Sequence, residues 1–249
     1  MYRITALIVR DKDIAASAFS DLLVQKLVPK LVAAVGDDRR LARLVVNRRP
    51  DDLDAEVASI FPAVFDGMLE FWFNSIDDAT AIMNQLTGDA EVRKAAAGLI
   101  DGSRGVAWLA EVYPSKPDDT GATRVKFLAG GEVAEGWTVA AAQEYWRDSH
   151  PALARTVPEV WDRLSRYTQF HGREAPGLEM GEWLARYRFV PLCSDMGFAD
   201  ARDFIALYTN ERYLEIIRPD EEKFSRPGEM LAFVSGEERV LVDRSKVPA

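Results

Sequence analysis

Apolar positions fall along this chain in two alternating rhythms. Ile4 to Val9 is a near-continuous apolar, β-branched run, the pattern of a buried strand. From Ile14 to Val35 the period lengthens. Phe19, Leu22, Leu23, Leu27 and Leu31 recur at helical spacing, and Gly36 stands where a C-cap belongs. Leu41 to Asn47 predicts a second strand, and Pro50 to Asp66 an irregular or partly helical connection. Met68 to Phe73 predicts a third strand, with Leu69, Phe71 and Phe73 on one face and Glu70 and Trp72 on the other. Ser75 is placed to cap a helix beginning at Asp77, whose acidic first turn suits the helix dipole. A fourth strand is predicted from about Gly105 to Val112.

This order, β-α-β-β-α-β, is that of a ferredoxin-like fold. Pro114 to Gly121 reads as a linker by its turn chemistry. The order then returns. Val125 to Ala129 predicts a strand, Thr138 caps a helix through the Tyr145 region, and Leu164 to His171 predicts a strand. Arg188 to Cys193 predicts another, at an edge or a bulge because it contains Pro191. Phe198 to Tyr208 predicts a helix, and Met230 to Val242 holds the last strand. Residues recur as well: Ser75 to Ile82 aligns with Gly197 to Ile205, and Val106 to Leu109 with Leu231 to Val234. The expected fold class is therefore α+β, two tandem ferredoxin-like repeats packed as an α+β barrel. The first repeat would span residues 1–113 and the second 124–249. One sheet with one helix layer leaves an apolar face in water, so the two sheets are expected to pack together within the chain.

Charge narrows the choice of partners. The net charge is −9, and no basic stripe of the kind that binds nucleic acid is present. The cluster Arg39, Arg40, Arg43, Arg48 and Arg49 is interrupted by Leu44, Val45 and Val46, and reads as the solvated edge of a strand. No apolar run has the length of a membrane span, and the first residues lack a signal-peptide pattern. The single cysteine, Cys193, excludes an internal disulfide and reads as a structural thiol. These features predict a cytoplasmic protein with no nucleic-acid or membrane partner. Monomer and homodimer both remain open. Two histidines 21 residues apart, with no CxxC or HExxH, do not predict a metal site. Gly130-Gly131 lacks the form of a phosphate loop, and no cofactor is expected.

The segment with chemistry in it is Glu144 to Val160. His150 can give and take a proton near neutral pH. Trp146 lies four residues earlier on the same helical face, and Pro151 places His150 at a helix end or kink. Partial burial would lower the His150 pKa and a carboxylate such as Asp148 would raise it. In the following strand Tyr167, Gln169 and His171 alternate onto one face, which suits the polar part of a small-molecule cavity. For His171, followed by Gly172, a solvated strand end is the favoured reading. Asp220-Glu221-Glu222 reads as solvated surface. The first-half counterpart of His150 is Val28, before Pro29, so the pocket is expected in the second repeat.

Here the sequence resembles the EthD family of the dimeric α+β barrel superfamily. The resemblance rests on Tyr145, Trp146, His150, Pro151, Leu153 and Pro158, on Arg166 to Gly172, and on Arg218 to Val240 as a closing helix-turn-strand. The first half adds Phe65 to Met83. The resemblance implies a small, cofactor-independent enzyme acting by acid-base chemistry on an aromatic or hydrophobic carbonyl substrate, of lyase, cyclase, decarboxylase or monooxygenase type. His150 would be the acid-base group and Tyr167 would polarise an oxygen. Tyr145, Trp146, Gln169 and His171 would bind substrate. Two alternatives stand beside it: a non-catalytic hydrophobic-ligand or accessory protein of an oxidative pathway, and a haem protein, since some two-repeat α+β barrels bind haem.

Overall fold

The computed structural model describes residues 1–53, 55–61, 63–118 and 121–244, with backbone only at 227–230 and 237. Asp119 and Thr120 of the expected linker and the last five residues of the expected second repeat, 245–249, lie outside the described residues. The first half runs β1 (Tyr2–Ile8), α1 (Ala16–Leu22), a π-helical turn (Leu23–Leu27), α2 (Val28–Val35), β2 (Leu41–Arg48), α3 (Ala55–Ile60), β3 (Gly67–Phe73), α4 (Ile76–Gly88), α5 (Ala90–Ala96) and β4 (Val106–Lys116). The second half runs β5 (Val125–Val133), α6 (Val139–Asp148), α7 (His150–Arg155), α8 (Pro158–Trp161), β6 (Arg166–Gly172), β7 (Arg186–Tyr187), β8 (Leu192–Phe198) and α9 (Ala201–Tyr208). A second π-helical turn (Tyr213–Ile217), α10 (Arg218–Phe224), β9 (Ser225–Ser235) and β10 (Glu237–Asp243) complete it.

One antiparallel sheet joins the halves in the order β10-β2-β3-β1-β4-β6-β8-β5-β9, and β7 adds a short parallel pairing to β4. Within it β2-β3-β1-β4 and β6-β8-β5-β9 follow the same ferredoxin-like order. Two long strands connect the halves. The first part of β4 pairs with β1 and its second part with β6. β9 pairs with β5, Gly236 alone follows, and β10 pairs with β2, so the sheet closes on itself.

Alternation along the strands then sorts side chains to two sides. Ile4, Ala6 and Ile8 pack under α1, α2 and α4, together with Leu69, Phe71 and Phe73. Leu7, Met68, Trp108, Leu128, Phe170 and Phe233 form a separate cluster drawn from strands of both halves, which is the barrel interior. The β2–β3 connection crosses over: Val57 and Phe61 pack on the second half, with the Phe61 ring 4.9 Å from Phe204. The β6–β8 connection crosses the other way, putting Met180 and Leu184 into the first-half core. These two connections occupy equivalent places in the two halves.

Several expectations change against this frame. β2 is covered by β10, so Arg43 is not on a solvated edge; it pairs with Glu238 at 2.7 Å. The expected linker begins inside a strand, because β4 runs on to Lys116 to hold β6. No strand spans 188–191; β8 starts at Leu192, after the proline that cannot donate to a ladder. Phe198 ends β8, and Asp200 caps α9 by accepting from the Arg202 amide. The last strand divides at Gly236 into β9 and β10.

Candidate functional site

Prolines shape the helices around the site. Pro29 and Pro219 each enter a helix directly after a π-helical turn. Proline offers no N–H and its ring crowds the carbonyl four residues back, so the preceding turn widens. Pro151 acts in the same way at the α6–α7 break. α6, capped by Thr138, ends at Asp148, and His150 opens α7. The break turns His150 inward, and only 4% of it is exposed.

His150 lines a cavity of about 440 Å³ between the second-half sheet and its helices. The walls are aromatic and aliphatic: Trp146, Trp161, Tyr167, Tyr208, Tyr213, Phe224, Met196 and Leu207. Gly130 and Gly131 form part of the sheet side, where β5 carries a register shift against β9. The strand expected over Val125 to Ala129 continues as β5 to Val133.

The carboxylate that meets His150 is Asp220, not Asp148. Asp148 is exposed and paired with Arg147, whereas His150 Nδ1 lies 2.9 Å from Asp220 Oδ2. Tyr145 and Lys223 both donate to Asp220 Oδ1, at 2.5 and 3.0 Å. Burial opposes the Asp220 charge, but the bonds from His150, Tyr145 and Lys223 outweigh it and hold the carboxyl well below its usual range. An ionised carboxylate only accepts, so Nδ1 carries the proton. The neutral ring then has its lone pair on Nε2, which makes no hydrogen bond among the described residues. A base held in one tautomer by a carboxylate and facing an apolar cavity is equipped to abstract a proton.

Tyr167, also on the cavity wall, accepts a bond from Trp146 Nε1 at 2.9 Å. Burial pushes its phenol far up, so it stays protonated and can donate to a ligand oxygen. Trp146 lines the cavity; Tyr145 stands behind it, holding Asp220. Gln169 and His171 share the Tyr167 face of β6, yet both are fully buried and neither lines the cavity. Gln169 donates to the Trp146 carbonyl at 2.8 Å and accepts from His171 Nε2 at 3.1 Å. His171 stacks on Trp146 with centroids 5.2 Å apart. It is not at a solvated strand end, because α6 covers that end of β6. Burial lowers its pKa to about 4, keeping the ring neutral. Cys193 is buried and burial raises its thiol to about 12, which keeps it inert. In the first half Val28 opens α2 as His150 opens α7, and it packs in the apolar core.

Asp220 and Glu221 were expected on the surface. Asp220 is 2% exposed and Glu221 lines the cavity; Glu222, which also borders the cavity, is exposed and paired with Arg218. The sequence does hold a signal for this. Ile217, Asp220 and Phe224 follow a 3-4 helical spacing, which puts Asp220 on the buried stripe of α10.

Residues 134–228 match the EthD domain. The EthD segment begins just after β5, contains α6, α7 and α10, and therefore carries His150, Tyr167, Asp220 and Glu221 together. No match was found among the curated proteins. Among solved structures the chain is similar to an anthrone oxidase-like protein at 10% identity and a TM-score of 0.54, covering 100% of this chain and 96% of that one. It is also similar to a proposed monooxygenase from Fusobacterium nucleatum subsp. nucleatum, at 8% identity and a TM-score of 0.51, covering 97% and 92% of the two chains. A proposed chlorite dismutase is similar at 8% identity and a TM-score of 0.51, covering 98% and 96%. At these identities the likeness is one of fold. Among the described residues no helix is long and apolar enough to cross a membrane, and no cluster of three metal-ligating side chains occurs.

Proposed function

We propose that the second-half cavity is the active site of a cofactor-independent enzyme that removes a proton from an aromatic or hydrophobic carbonyl substrate. The observation that carries this reading is the 2.9 Å contact of His150 Nδ1 with Asp220 on the wall of an aromatic-lined cavity. His150 Nε2 is the base. Asp220 fixes its tautomer and stabilises the imidazolium that forms. Tyr167 hydrogen-bonds the substrate oxygen where charge develops. Trp146, Trp161, Tyr208 and Phe224 supply flat apolar surface for a planar substrate and keep water away. The EthD match and the fold shared with an anthrone oxidase-like protein agree with a small aromatic carbonyl compound.

Anthrone is a suitable probe because its methylene is acidified by the ring carbonyl. In oxygen-free deuterated buffer the protein should accelerate exchange of that methylene, read by NMR, with a chelator present and nothing added. His150→Gln should fold normally and lose the acceleration. Added haem should produce no Soret band beyond that of free haem. An exchange rate unchanged in His150→Gln overturns the reading in favour of a ligand-binding role.

A further inference from the structure

α10 presents adjacent carboxylates to two different surroundings. Asp220 turns toward α6 and α7 and is held ionised there. Glu221 is one helical step further round and lines the cavity. Tyr213 donates to its Oε2 at 2.7 Å, and its Oε1 has no hydrogen-bond partner among the described residues. The titratable and charged groups facing Glu221 are His150 of α7, Tyr213 and Arg218 of its own segment, Asp220, Tyr167 of β6 and Tyr208 of α9. Of the two arginines bordering the cavity, Arg218 is engaged by Glu222 at 2.8 Å, and Arg226 stands at the start of β9. Burial disfavours the Glu221 carboxylate, and Asp220 adds repulsion. Together they outweigh His150, Tyr213 and Arg218, so its pKa lies above the ordinary glutamate value.

We propose that Glu221 is the proton donor of this cavity, acting opposite the His150 base on the oxygen of the same substrate. The inference rests on the base role given to His150 above. Two carboxyls on one helix whose surroundings push them in opposite directions are the mark of an acid and the orienter of a base. Tyr167 cannot take the acid's place: it gives a hydrogen bond but keeps its proton. A carbonyl oxygen has two lone pairs, and can meet Tyr167 and Glu221 at once.

The step balances without an oxidant. His150 Nε2 takes the proton from a carbon conjugated with the carbonyl, which in anthrone is the methylene across the ring. The C–H pair joins the conjugated π system and the carbonyl π pair moves to oxygen. The Glu221 proton forms the new O–H bond. The product is the enol; His150 is left protonated and Glu221 ionised, and water returns the proton. The substrate class is thus a carbonyl compound that reacts through its enol, not one merely deprotonated.

Infrared difference spectra of wild type and Glu221→Gln test the donor directly. A carboxylic-acid carbonyl band should be present at neutral pH in wild type, absent in the variant, and lost as the pH is raised. In the anthrone exchange assay Glu221→Gln should be slower by roughly 10²-fold or more and should lack the alkaline limb of the wild-type pH profile. Absence of the band, or a Glu221→Gln rate and profile matching wild type, overturns the assignment. If Glu221→Gln is slow while His150→Gln matches wild type, the donor stands and the base reading alone fails.

Discussion

Asp220 accepts hydrogen bonds from three side chains drawn from α6, α7 and α10, and the orientation of His150 depends on them. Asp220→Asn keeps the shape but removes the charge that fixes the imidazole tautomer. Anthrone exchange should fall by roughly 10²- to 10⁴-fold, with little change in far-UV circular dichroism. Retention of the wild-type rate would show that the contact is only structural. The same carboxyl gives a pH signature. Its folded pKa is depressed, so its stabilising contribution is complete above the unfolded value of about 4 and is lost as pH falls below it. Urea titrations should show wild type losing its advantage over Asp220→Asn across that acid range. His150, Trp146 and Tyr167, each legible in a local pattern, line one cavity. The contact of Asp220 with His150 was not legible, because a carboxylate 70 residues away meets it only through the fold.

At the scale of elements, β6 depends on its last residue. A Cβ on Gly172 would run into the Val190 carbonyl, where the β6–β8 connection turns back against the sheet. Gln143 of α6 clamps that turn, donating to the carbonyls of Gly172 and Pro191 at 3.2 and 2.9 Å. Gly172→Ala must therefore displace backbone. It should cost about 1–3 kcal/mol by denaturant titration. A variant as stable as wild type would show that the connection is free to shift. β1 to β3 were legible because apolar residues dominate each of them and turn residues bound them. The sequence pattern misplaced the start of β8, where Pro191 lies just outside the strand. It could not show where the crossing connections dock. Val57 lies in the short α3, while Phe61, Met180 and Leu184 are sparse apolar residues in irregular chain, and the surface each covers belongs to the other half.

For the whole molecule, the deciding feature is a buried charge cluster inside the barrel. Arg3 lies two residues before Thr5, which faces Glu70 across the β1–β3 register. Lys126 lies two residues before Leu128, which faces Asp195 across β5–β8. The two halves thus place a cation and an acid at matching points, and the pairs cross between halves. Lys126 meets Glu70 at 2.8 Å, and Arg3 meets Asp195 at 3.6 Å and Glu70 at 3.5 Å. The Arg3 guanidinium also sits 3.4 Å from the Phe170 ring centroid. Such matching is what duplication of one ferredoxin-like unit would leave behind, and we propose that origin for the two repeats. Burial opposes the Glu70 charge, yet Lys126 and Arg3 hold its carboxyl far below the ordinary range. Burial opposes the Lys126 charge as well, and Glu70, Asp195 and Glu238 more than offset it, raising its pKa. The signs follow. The Glu70 contribution is present above its unfolded value of about 4.3 and fades as pH falls below it. The Lys126 contribution is present below its unfolded value of about 10.4 and fades as pH rises through the folded value. Glu70→Gln leaves Lys126 and Arg3 short of a buried counter-charge, which should cost about 3–5 kcal/mol at neutral pH. Because Glu70 belongs to the first half and Lys126 to the second, the loss should be felt by both. Tryptophan-to-phenylalanine variants that keep only Trp183, packed on the first-half core, or only Trp161, packed on the second-half core, can report each half separately in urea. Both signals should shift together, in wild type and in Glu70→Gln. Two separate transitions, with only the first half weakened, would mean that the halves are independent domains and that the cluster does not couple them.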